Sequence, residues 1–173
     1  RVLFRSPWIR VAEAQNAEEV REAKAEFDEG SRRYREERWA LAATHFEAAD
    51  ELAPNPRALR MAIRARGKAE QWARAATLAA EAERRHPDDE TTAELVAATL
   101  EQASGTLHEL ALECSSDCLV AVGTRAVVGE ARRRWTIFLE PGPATLRISF
   151  DNGADVEREV EAEAGGESTL QLE

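Results

Sequence analysis

Sliding the N-terminal part of the chain by 33 positions lays Trp39 on Trp72, Ala42 on Ala75 and Ala49 on Ala82. The same shift puts Phe46 on Ala79 and Pro54 on Pro87. An internal period of this length confines the fold. Each unit is a pair of helices that cannot bury its apolar face alone and must stack on a neighbour. The alanines mark where two helices approach closely. Pro54 and Pro87 end the second helix of each unit, because a proline inside a helix loses a hydrogen bond and clashes with the preceding turn.

The pattern changes at Gly105. Before it, alanine, glutamate, arginine and leucine dominate, as helices favour. In "NAEEV", Asn16 and Glu19 have capping-box spacing, which starts the first helix near Asn16. "PDDETTAELVAATLEQAS" supplies one more helix, capped by Asp88 or Asp89, that covers the last apolar face of the array. After Gly105 come β-branched and aromatic residues broken by Pro141-Gly142-Pro143, Asn152-Gly153 and Gly165-Gly166. "TLHELALEC", "CLVAVGTRAVV", "RWTIFLEPG", "ATLRISFDNG", "DVEREVEAEAG" and "STLQLE" read as five or six short strands. In "ATLRISF", Leu146, Ile148 and Phe150 share one face and Thr145, Arg147 and Ser149 the other. Asn152-Gly153 signals a two-residue hairpin. The expected fold is a two-part α+β chain: helical hairpins over residues 16–104 and a small antiparallel β-sandwich over 105–173. Residues 1–15 are expected to be a foreign and disordered N-terminus.

"FDEGSRRYREERWALAATHFEAADELAPN" resembles a tetratricopeptide (TPR) repeat. Phe27, Gly30 and Tyr34 match its first helix, and Ala42, Phe46, Ala49 and Pro54 its second. "LRMAIRARGKAEQWARAATLAAEAERRHPDD" resembles a degenerate second repeat, with Gly67 where the tyrosine belongs and Ala79 where the aromatic belongs. In both, the turn between helices is one residue shorter than usual. The C-terminal half is similar to PEGA-type and carboxypeptidase-regulatory-like β-sandwich modules. The likeness lies in the order "GTL", "VAVGTRAVVG", "FLEPGPATLRISFDNG" and "EREVEAEAGGESTLQLE", without the Pro-Glu-Gly-Ala string. This combination resembles bacterial envelope-associated proteins and implies binding or spacing of other molecules in a periplasm or envelope.

The net charge of -10 argues against a nucleic-acid partner. No apolar run approaches the roughly 20 residues a bilayer span requires. The abundance of arginine reflects a GC-rich codon bias and says little about function. No nucleophile, metal or phosphate-loop signature is present, so no catalytic residue, metal or cofactor is expected. His45 lies mid-helix beside Phe46, and His86 stands at a helix C-terminus, where positive charge is favoured. Counted from Tyr34 and assigned by the TPR resemblance, the concave face presents Asp28, Arg32 and Arg35 from the first unit. Met61, Ala65 and Lys68 come from the second. The cations among them suit an acidic or C-terminal peptide, although the Lys and Asn pattern of dicarboxylate-clamp TPR proteins is missing. Solvated helix faces explain the same residues. Arg132, Arg133 and Arg134 form a basic run, read either as a solvated strand end or as a contact for an anionic partner. Cys114 and Cys118 face each other across a three-residue hairpin, either as a disulfide in an oxidising compartment or as buried thiols. Only His108, on the same face as Cys114, could join them around a metal.

The expected function is therefore a non-catalytic adaptor or scaffold that holds a protein or peptide partner. The competing reading is a cell-wall or carbohydrate-binding β module with the helices as spacer, for which exposed Trp135, Phe138 or Phe150 would speak. Arg1–Ser6 reads as CGT GTG CTC TTC CGA TCT in codons, which resembles the end of a short-read sequencing adapter. The gene's true start is then missing, and its absent leader says nothing about location.

Overall fold

The computed structural model describes residues 7–172, with side chains from Asn16 onward. Arg1–Ser6, read above as adapter-derived, lies outside the described residues. Five helices precede six strands: α1 Pro7–Arg35, α2 Trp39–Leu52, α3 Pro56–Lys68, α4 Trp72–Arg85 and α5 Glu90–Ala103. The strands are β1 His108–Val122, β2 Arg125–Ala126, β3 Arg132–Leu139, β4 Gly142–Phe150, β5 Asp155–Ala162 and β6 Glu167–Leu172. The chain is thus α+β in two parts. One expectation fails at the start: α1 begins at Pro7, so residues 7–15 are helical and Asn16 stands inside the helix, where no capping box can form. A proline suits a first helical position, since the amide it lacks has no intrahelical partner there.

The helices stack as antiparallel hairpins around Phe46, Leu59, Ile63 and Leu78, with Ala42, Ala62, Ala65, Ala79 and Ala82 fully buried between them. Gly30 permits the closest approach. A Cβ there would lie 2.9 Å from the Phe46 ring and 3.2 Å from the Ala42 carbonyl oxygen. The 33-residue spacing extends to the turns. After α1, Arg38 N–H donates to the Arg33 carbonyl and Glu37 N–H to that of Tyr34. After α3, Gln71 and Glu70 repeat this with Arg66 and Gly67. Both turns are Schellman closures, with Glu37 (φ 61°) and Glu70 (φ 58°) in the left-handed position that glycine usually fills. Asp89 caps α5, its Oδ1 accepting from Thr92 N–H at 2.8 Å, and Arg60 of α3 clasps the same carboxylate.

In the β half, β1 is one long strand, not the two expected. Its first part pairs with β3 on one edge and, in parallel, with β6 on the other. Its last part pairs with β4, which leads on to β5. The register shifts between Glu113 and Cys118, and the disulfide Cys114–Cys118 spans that bulge with 6.5 Å between Cα atoms. The chain therefore buckles at the cysteines but does not turn back on itself as a hairpin, because different partners hold the two parts of β1. Leu146 and Ile148 are fully buried and Phe150 packs on the same core, with Leu110, Leu112, Ile137 and Leu139. The loop after β4 is Asp151–Ala154, longer than two residues, with Gly153 at φ 82°.

The halves dock through α4 and β3. Trp72, Ala76, Ala103, Leu107 and Phe138 form the apolar contact, and Val128 of the β2–β3 loop joins the helical core. Thr77 Oγ1 accepts from Phe138 N–H at 2.9 Å, which occupies the outer edge of β3. Arg132 Nη2 reaches Glu81 Oε2 at 2.7 Å, the glutamate being almost fully buried. Gly129, at φ 131°, lets the loop pass: a Cβ would meet Arg132 Nη1 at 2.5 Å and Glu81 Oε1 at 2.9 Å.

Three substitutions separate these forces. Gly30→Ala gains about 1 kcal/mol of helix propensity but incurs about 1–3 kcal/mol of overpacking against Phe46, so urea titration shows a net loss. Glu70→Gly relieves the left-handed residue and raises stability by up to about 1 kcal/mol in the same titration. Glu81→Ala strands the Arg132 guanidinium and costs about 3 kcal/mol, with helical and β signals no longer unfolding together.

Candidate binding groove

Between α3 and α5 runs an open groove of about 600 Å³, lined by Ile63, Arg64, Gly67 and Lys68 of α3 and by Leu95, Ala98, Thr99 and Gln102 of α5. Tyr34 and Trp72 close its end, with Glu70 beside them. The α3 pattern explains the wall: Arg64 and Lys68 stand one turn apart on one face, both exposed. Neither has a carboxylate within ion-pair distance among the described residues. On α5, Leu95, Ala98, Thr99 and Gln102 recur at helical spacing and form the facing stripe.

The residues expected to line the binding face divide. Lys68 lines the groove. Met61 is half-buried and packs against the helical core. Asp28, Arg32 and Arg35 are exposed on α1 but do not reach this groove. Asp28 pairs with Lys24, Arg32 with Glu29 at 2.7 Å, and Arg35 Nε donates to the Ser31 carbonyl at 3.2 Å. Each is thus engaged on its own helix. Arg64, Trp72 and the α5 stripe were missed. Arg64 lies one turn back from Lys68, and the spacing 95, 98, 99, 102 is legible in the sequence, but a helix that covers the end of an array needs the same spacing.

The basic run is not a patch. Arg132 and Arg134 point to one side of β3 and Arg133 to the other. Arg132 is held between Glu81 and the Trp135 ring, 3.4 Å from its centroid. Burial pushes its guanidinium below the ordinary range, against the pull of Glu81. Arg133 lies 3.8 Å from Asp117, and Arg134 stands opposite Glu113 in the β1–β3 register. Arg132 is therefore a docking residue between the halves.

Among the described residues, no three His, Cys, Asp or Glu side chains converge as metal ligands. His108 lies instead between Glu163 N–H, 3.1 Å from Nδ1, and Ser168 Oγ, 2.7 Å from Nε2. As Nδ1 accepts, Nε2 carries the proton and donates. His45 Nδ1 meets Glu26 Oε2 at 2.6 Å and ties α2 to α1.

His86, the C-terminal cap of α4, departs from expectation. Burial first and Arg85 second push its imidazole below the usual histidine range, with Arg60 adding to this and Asp50 and Asp89 opposing it. The unfolded chain binds this proton more readily, so the His86 contribution is complete above about pH 6.5 and is lost as the pH falls through the folded value. Burial beside Glu47 raises the Glu51 carboxyl, which opposes the trend in more acidic solution. Thermal unfolding from pH 7.5 down to about pH 5.5 shows a steeper fall for wild type than for His86→Gln.

Comparison with models of known families and with curated proteins finds no match to this chain.

Proposed function

We propose that the chain is a non-catalytic adaptor that receives a peptide or protein partner on its α3–α5 groove, in the way its likeness to tetratricopeptide repeats implies. The observation that carries this reading is the docking of the β half on α4, which leaves the groove of α3 and α5 open, with Arg64 and Lys68 on its wall and no ion-pair partner for either among the described residues. Rigid helix pairs hold such a surface in shape without the ligand, which spares ordering entropy on binding.

Other features support binding over catalysis. The deeply buried carboxylates Glu47, Asp50 and Glu81 each pair with arginine, so none stands free as an acid or base. The disulfide favours an oxidising compartment such as a bacterial periplasm or envelope. No helix among the described residues is long and apolar enough to cross a membrane. The carbohydrate-binding alternative gains no support from the aromatics of the β half. Trp135 is buried, Phe150 packs on the β core and Phe138 on α4, so none offers an exposed platform for a sugar ring.

Immobilised wild-type chain and an Arg64→Ala/Lys68→Ala variant, exposed to the same envelope extract, test the reading. Partner recovery falls at least tenfold in the variant, the equivalent of about 1.4 kcal/mol. Equal recovery overturns the assignment of the groove.

A further inference from the structure

The two Schellman turns repeat, but the aromatic pair beside them does not. In the first hairpin the Tyr34 ring packs edge-on against Trp39, with centroids 4.6 Å apart. One period later Trp72 occupies the position of Trp39, and Gly67 that of Tyr34. Among the described residues, the second tryptophan has no ring partner at that position. A Cβ on Gly67 would lie 3.4 Å from the far edge of the Trp72 indole, an ordinary contact, so a side chain is absent there without being sterically excluded. The space beyond is the groove itself.

We infer that this vacancy is a receptor for an aromatic side chain of an acidic peptide segment, its ring taking the place on Trp72 that Tyr34 takes on Trp39, its flanking carboxylates held by Arg64 and Lys68. The inference rests on the groove reading above and adds the chemistry of the partner. Three observations converge on it. The Trp72 indole lines the open groove with its far edge at Gly67, and paired aromatic rings gain beyond the area they bury. Ile63, Leu95 and Ala98 supply apolar walls for the ring's other face. Two unpaired cations against the single carboxylate Glu70 give the groove the opposite sign to the chain as a whole. A glycine inside a helix, with only the Trp72 edge beside it, is also a local cost, since glycine lowers helix stability. That cost leaves the groove open.

Three fluorescein-labelled peptides with the full chain test this by fluorescence anisotropy: acidic flanks around a central Phe, acidic flanks around a central Ala, and lysine flanks around a central Phe. The acidic Phe peptide binds at least tenfold tighter than the other two, and weakens as salt is raised. Gly67→Tyr supplies the missing ring from within, abolishes that binding and leaves the chain folded. Gly67→Ala, which adds only a methyl group, keeps the binding and controls for helix stiffening. Equal affinity for all three peptides, no binding of any, or acidic Phe binding that survives Gly67→Tyr, overturns the inference. The groove reading is judged separately. If envelope-partner recovery depends on Arg64 and Lys68 but not on Gly67→Tyr, the groove stands and the aromatic receptor falls. If neither substitution affects recovery, both fall.

Discussion

Three carboxylates taken out of water hold this molecule in one shape. Glu47 and Asp50 on α2 and Glu81 on α4 are almost fully buried, and each would be costly there without a partner. Arginine forks meet all three. Arg66 and Arg74 hold Glu47, Arg85 holds Asp50 through two nitrogens, and Arg84 and Arg132 hold Glu81. The chemistry is directional. A guanidinium can span a helix pair and keep several hydrogen bonds in a fixed plane, which an ammonium cannot. Arg74 also donates to the Ala126 carbonyl, so one network runs from α2 through α4 into the β half. Such pairs add less to stability than their number suggests, because desolvation consumes much of the attraction. Their effect is to penalise every other arrangement of α2, α4 and β3.

Much of the fold was legible because it repeats or alternates. The 33-residue shift located both prolines that follow α2 and α4, and Gly105 marked the change of period just after α5. Strand alternation placed Leu146, Ile148 and Phe150 on the buried face. The misses share a physical cause. Asn16 and Glu19 have the spacing of a cap, but a capping box acts only where a helix begins, and α1 begins at Pro7. Cys114 and Cys118 have the spacing of a hairpin, yet tertiary pairing with β3, β4 and β6 carries the strand through them. Local patterns set what a segment can do, and its neighbours choose among the options.

The groove was half legible for the same reason. Lys68 was found by register, but the α1 cations chosen with it are satisfied by their own helix. The α5 stripe carries a readable period, but as the cover of the array's last apolar face it points to no groove, and Arg64 emerges only one turn back from Lys68. Arginine content, taken as codon bias, conceals the distinction that matters. Arg66 is among the most buried residues of the helical half and Arg64, two positions away, is exposed. No composition separates them. Gly67, by contrast, is visible in the sequence as a departure from the internal period, and it lines the groove beside Trp72.

The parallel pairing of β6 with β1 also sets an order of events during synthesis. Its partners lie 58 residues apart, whereas each helical hairpin is built from neighbours in the chain. Local contacts form fast and distant ones slowly. As the chain leaves the ribosome, the hairpins can close before the last strand exists, and the sheet must wait for it. Until β3 follows, the apolar side of α4 around Ala76 lacks its Phe138 cover, so the nascent protein spends part of its birth as a helical array in search of its own second half.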